Sequence, residues 1–142
     1  MSVLNELSSA TGDKASNDEL VKRCLMTPAF LHSISEGLRT GAGKAQEDCM
    51  YILLEVGKRR PELLQNFASD FFDTSRGTTT KSRKLHRLAL EGLGRIVSMC
   101  GSEVFAEREY LLEVARAGGP KGLAAAGVLG SLCASSANYR GK

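Results

Sequence analysis

Tryptophan is absent from this chain of 142 residues, tyrosine occurs three times and phenylalanine five times. No stretch alternates β-branched or aromatic residues with polar ones, so nothing reads as a strand. No apolar run approaches the roughly 20 residues needed to cross a bilayer. No basic stretch precedes an apolar one at the amino terminus, as a secretion signal would require. The four cysteines, Cys24, Cys49, Cys100 and Cys133, include no C-x-x-C pair, and only two histidines accompany them. Zinc or disulfide chemistry would need the fold to gather distant ligands; small buried thiols are the simpler expectation. With no Asn-x-Ser/Thr site either, an intracellular, reducing and cytoplasmic setting is expected.

Catalytic signatures are equally scarce. Neither G-x-S-x-G nor H-E-x-x-H occurs, and His32 and His86 have no nucleophile at a recognised spacing. Carboxylate pairs such as Glu47/Asp48 and Glu107/Glu109 fall on faces that helices normally turn to solvent. The stretch Gly37-Leu38-Arg39-Thr40-Gly41-Ala42-Gly43-Lys44-Ala45 resembles a phosphate loop only superficially. A P-loop needs glycine where Leu38 stands, Ser or Thr where Ala45 stands, and a strand before it. The expectation is therefore a protein with no catalytic role, no cofactor and no metal.

What the chain does have is helical periodicity. Residues 20–25 carry Leu20, Val21, Cys24 and Leu25, with Ser16 or Asn17 as the cap, and Pro28 separates this helix from one bearing Leu31, Ile34 and Leu38. Cys49, Ile52, Leu53 and Val56 form a stripe at i, i+3, i+4 and i+7. Lys58-Arg59-Arg60 then complements the carboxyl end of that helix, and Pro61 opens the next, with Leu63, Leu64, Phe67 and Phe71 on one face. Residues 73–80 read as a loop. Leu85, Leu88, Ala89, Leu93, Ile96 and Cys100 define a long helix ending at Gly101, with Ser102 expected to cap its neighbour. That neighbour carries Val104, Leu111, Leu112 and Ala115. After Gly118-Gly119-Pro120 comes a last helix, apolar on one side and small on the other, where Ala126, Gly127, Gly130 and Ala134 suggest another backbone packed very close.

Three of these helices contain the same short phrase: Leu54-Glu55-Val56-Gly57, Glu91-Gly92-Leu93-Gly94 and Gly127-Val128-Leu129-Gly130. Its glycines recur at intervals of 37 and 36 residues, a period typical of helix-pair repeats. The fold expected is all-α: a right-handed α-solenoid of about seven helices, three antiparallel pairs plus a single last helix. It would occupy residues 17–134, between a flexible or partly helical segment, 1–16, and a flexible tail, 135–142.

Residues 52–64 look like the first helix of a HEAT repeat running into its second, and residues 88–97 look like the next copy. The chain thus resembles the HEAT and armadillo families over roughly residues 17–134. That resemblance implies a scaffold or adaptor that binds another protein along a groove lined by its second helices, here 61–72 and 103–117. A further resemblance joins residues 90–105 to the central helix of VHS and ENTH domains, which implies a trafficking adaptor touching cargo or membrane. Lipid-binding ENTH members use a basic amino-terminal segment, whereas residues 1–20 here carry a net −3.

Charge is unevenly spread although the total is only +3. Residues 76–95 carry a net +5. Arg76, Lys81, Arg83, Lys84 and Arg87 are the candidate partner-binding cations, in and after the 73–80 loop. Phe72 lies to the side of its helix's apolar face and is the candidate exposed anchor. The plain reading is a solvated helix start; the alternative is an anion site, because cations at a helix amino terminus oppose the macrodipole and free amides beside them can hold an anion. An acidic peptide or phosphoprotein fits best, with nucleic acid as an alternative through the same patch. Thr78, Thr79, Thr80 and Ser82 add candidate phosphorylation sites that would reverse its charge.

Overall fold

The computed structural model describes Leu7, Gly12 and residues 15–40, 43–77 and 80–135. The expected flexible segments, 1–16 and 135–142, lie almost wholly outside the described residues. All regular structure among the described residues is helical. α1 is Ser16–Met26 and α2 is Phe30–Thr40. α3 is Gly43–Arg59, followed by a 3-10 helix, η1, over Pro61–Phe67 that leads into α4, Ala68–Arg76. α5 is Arg83–Ile96, α6 is Gly101–Ala106, α7 is Arg108–Ala117 and α8 is Gly119–Ser135.

Proline and glycine set most of these boundaries. Pro61 opens η1, where its missing amide is not needed. α4 runs four residues beyond the expected limit at Phe72 because its polar end is satisfied internally. Thr74 Oγ1 donates to the Asp70 carbonyl at 3.0 Å and Ser75 Oγ to that of Phe72 at 2.8 Å. Gly77 then closes it at φ 83°, with its amide directed at the Asp73 and Thr74 carbonyls. Ser82 caps α5, accepting from the Leu85 amide at 3.3 Å. Two expectations need correction here. The 103–117 helix is broken at Glu107 into α6 and α7, which brings the total to eight α-helices among the described residues. α6 begins at Gly101, so Ser102 lies inside the helix and Cys100 holds the cap position without a side-chain capping bond, its thiol donating back to the Ile96 carbonyl.

The apolar stripes meet in one continuous core that includes Leu20, Leu38, Ile52, Leu53, Phe71, Leu93, Leu111 and Val128. Packing is strongest between α2 and α3, α4 and α5, α5 and α8, and α7 and α8. The helix pairs are therefore offset by one from those expected, and the last helix packs on α5 and α7. Along the other direction α1 touches α3, and α3 touches α5. Polar bonds cross the same seams. Asn17 donates to Asp48 at 2.8 Å and Tyr51 to Asp18 at 2.6 Å, tying α1 to α3. Buried Gln46 donates to the Leu38 carbonyl at 2.9 Å, satisfying one of the last acceptors of α2.

The recurring glycines do different jobs. A Cβ on Gly92 would lie 2.8 Å from the Phe71 ring, and one on Gly57 2.9 Å from Leu64, so both mark close helix contacts. Gly122 allows α8 to approach the α7 backbone, with the Val114 carbonyl 3.1 Å from where its Cβ would be. At Gly127 and Gly130 nothing lies within 4 Å, which corrects the close-backbone reading of that side of α8. Since glycine in a helix interior costs about 0.5–1 kcal/mol relative to alanine, Gly127→Ala and Gly130→Ala are each expected to raise the unfolding free energy by that amount. Urea denaturation followed by circular dichroism checks this; a loss of stability would contradict it.

Cys24, Cys49 and Cys100 are buried and Cys133 is exposed. Desolvation pushes the thiols of Cys24 and Cys100 up to about 11 and that of Cys49 to about 12. The folded chain thus holds these protons more tightly than an unfolded one, whose thiols titrate near 9.0. Their contribution to stability is complete below about pH 9 and is lost as pH rises through 11 to 12. At pH 8 a thiol-specific reagent should label Cys133 rapidly and the other three only after denaturant is added. Rapid labelling of all four in the native protein would contradict the packing.

Candidate functional site

The patch expected over residues 76–87 is split by the fold. Arg76, at the end of α4, forms an ion pair with Glu107. Its guanidinium lies over the ring of Tyr110, 4.5 Å from the centroid, and over that of Phe72 at 5.5 Å. Phe72 is 3% exposed and meets Tyr110 edge-on, with centroids 6.3 Å apart. Ser75 Oγ and Tyr110 Oη share a hydrogen bond of 2.9 Å beside them. Phe72 is buried and so is no exposed anchor: α4 is flanked by α5 on one side and by α6 and Tyr110 on another, so a wider arc of it is buried than its stripe suggested. Arg76 is exposed but already engaged by Glu107 and the two rings. These two residues join helices.

The other four cations do come together. Lys81, Arg83, Lys84 and Arg87 line a cleft of about 850 Å³ with the Gly118-Gly119-Pro120 turn and Lys121. Lys121 belongs to α8 and was not anticipated. Its 34 residues of separation from Arg87 are closed only by the packing of α5 on α8, for which the sequence offers no local signal. The first turns of both α5 and α8 border the cleft, and amides in a first turn lack intrahelical acceptors. No carboxylate lines it among the described residues. Lys81, Arg83, Lys84 and Lys121 take part in no ion pair there, and Arg87 reaches Glu91 only at 3.5 Å. His86 is committed locally, with Nε2 2.8 Å from the Thr80 carbonyl oxygen. Of the candidate phosphorylation sites, Thr78 and Thr79 lie outside the described residues. Thr80 accepts from the Ser82 amide and Ser82 caps α5, so both hydroxyls serve the loop.

A second concavity adjoins the first. About 610 Å³ lies between α3, α5 and α8, with Leu54, Leu88 and Val128 among its apolar lining residues and Gly94 and Gly127 leaving room beside them. Tyr51 stands at its edge, 40% exposed. The charged lining residues balance: Glu47, Glu55 and Glu91 against Lys58, Lys84 and Arg95. Lys84 borders both spaces, so groove and cleft share a side chain. This groove lies on α3, α5 and α8, whereas the sequence pointed to the layer of 61–72 and 103–117. On that other layer a cleft of about 340 Å³ is lined by Phe72, Asp73, Arg76 and Glu107, among others. No cluster of His, Cys, Asp and Glu among the described residues could hold a metal, and none of the described helices is long and apolar enough to cross a membrane.

The chain matches no protein-family model, no curated protein and no solved structure.

Proposed function

We propose that this protein is a non-catalytic interaction domain, built as a HEAT/armadillo-like solenoid. In this reading it docks an acidic segment of a partner protein across the α3–α5–α8 groove and the adjoining basic cleft. The observation that carries the reading is four cations without an ion pair, gathered with Arg87 around a concave surface that no carboxylate lines among the described residues. Holding like charges together at the start of two helices costs stability, because each opposes the helix dipole; a bound anion offsets that cost. The groove supplies apolar surface beside it, so a polypeptide with a negatively charged end fits both halves. A trafficking adaptor of the VHS/ENTH kind would use the same surface for cargo.

The test uses a short fluorescein-labelled peptide of glutamates and leucines. Fluorescence anisotropy should report binding that weakens steeply as salt approaches 0.15 M, where screening acts over about 8 Å. A variant with Lys81, Arg83, Lys84 and Arg87 all changed to Ala should lose at least tenfold in affinity, roughly 1.4 kcal/mol. It should also keep its helical spectrum, since Lys81, Arg83 and Lys84 are exposed, Arg87 is half-buried, and the three in α5 are replaced by a strong helix former. Unchanged affinity at low salt would end the proposal.

A further inference from the structure

We infer that the basic cleft is a receptor for one phosphoryl group, carried by a phosphoserine or phosphothreonine of the partner. This rests on the docking reading above and narrows it. A carboxylate brings one charge, leaving most of the five cations around the cleft uncompensated. A phosphoryl group brings −1.5 to −2 and three acceptor oxygens near neutral pH. Arg83 and Arg87 each present a planar fork that matches two of those oxygens at once, and Lys81, Lys84 and Lys121 add point charges. The first turns of α5 and α8 contribute their dipoles in the same sense. These are secondary to the cations.

The neighbouring groove decides between one phosphoryl group and a polyanion. Its charged lining is balanced, with Glu47, Glu55 and Glu91 among it, so a nucleic-acid backbone or an anionic membrane leaving the cleft would meet carboxylates. His86 is the one aromatic ring bordering the cleft among the described residues, and its Nε2 is committed to the Thr80 carbonyl. Base stacking therefore has no free platform there. An otherwise near-neutral polypeptide suits the groove better.

Geometry also gives the spacing. Leu88 lies one helical turn beyond Lys84 on α5, about 6 Å along the axis. An extended peptide covers that distance in about two residues. The preferred ligand thus carries an apolar side chain about two positions from the phosphorylated residue, seated against Leu88.

The experiment compares three degenerate peptide libraries on the immobilised full chain, with phosphoserine, serine or glutamate fixed at the central position. Retention of the phosphoserine library should exceed the other two at least about tenfold, with apolar residues selected about two positions away. The quadruple alanine variant should lose that preference, its circular dichroism melt confirming a retained fold. If glutamate and phosphoserine libraries are held equally, and the variant releases both, the phosphoryl inference falls while acidic-segment docking stands. If no library is held, both fall. Vesicles containing phosphoinositide provide a last arm: cleft-dependent binding to them without a phosphopeptide preference overturns the inference in favour of a lipid headgroup.

Discussion

Phe71→Ala is expected to lower the unfolding free energy by about 3–5 kcal/mol, a large share of the 5–15 kcal/mol typical of a domain. The ring is fully buried. It sits where α4 meets α5, with Gly92 so close that a Cβ there would approach its Cε1 to 2.8 Å and Leu54 Cδ2 to 3.2 Å. The backbone contact that permits this fit cannot collapse into the void left by alanine, because Gly92 has no side chain to advance. The reverse substitution should also be unfavourable. Gly92→Ala gains helix propensity yet forces the ring aside, for a net loss of about 1–3 kcal/mol. Gly92→Ala and Gly127→Ala therefore carry opposite signs, although both replace a glycine within a helix. Urea titration of the three variants measures all of this; a Phe71→Ala loss below 1 kcal/mol would mean the α4–α5 seam is misplaced.

The second large effect separates the cleft from the rest of the basic stretch. Lys84→Glu should weaken the acidic peptide at least about thirtyfold, or roughly 2 kcal/mol, since a charge-assisted contact is lost and repulsion takes its place. Lys84 borders both cleft and groove, so its reversal harms either half. Arg76→Ala should leave binding within about twofold. Its guanidinium serves Glu107, Tyr110 and Phe72, and removing it should cost about 1 kcal/mol of stability instead. Titrations of both variants beside thermal melts check this; equal binding losses would rejoin Arg76 to the docking surface.

Much of the helical layout was legible because proline and glycine punctuate it. Pro28 and Pro61 separate helices at the expected places, and Gly118 parts α7 from α8, which starts at Gly119, two residues before the expected Lys121. Pairing was harder to read. The α3 stripe reads as Cys49, Ile52, Leu53 and Val56, yet Met50 and Gly57 are buried too. A helix that contacts α1, α2 and α5 hides more than one arc, and periodicity alone does not say which neighbour claims which arc. Phe72 escaped for the same reason. Leu112 errs in the other direction: expected inside, it is 40% exposed, because α7 packs chiefly on α8 and leaves that flank open.

The candidate site divides along the same line. Lys81, Arg83, Lys84 and Arg87 are near neighbours in sequence on one loop and helix start, so their clustering could be read directly. Lys121 and the groove depend on how α5, α8 and α3 assemble, and no spacing within the chain encodes that. Arg76 shows the converse, a sequence neighbour that the fold turns toward Glu107 and Tyr110.

The most direct measurement is a backbone-amide NMR titration of the whole protein with the unlabelled glutamate–leucine peptide. Shifts should concentrate at residues 81–88 of the loop and α5, at Gly118, Gly119 and Lys121, and along the groove at Leu54, Gly94 and Gly127. Shifts centred instead on η1, α6 and α7, with these positions still, would contradict the docking surface.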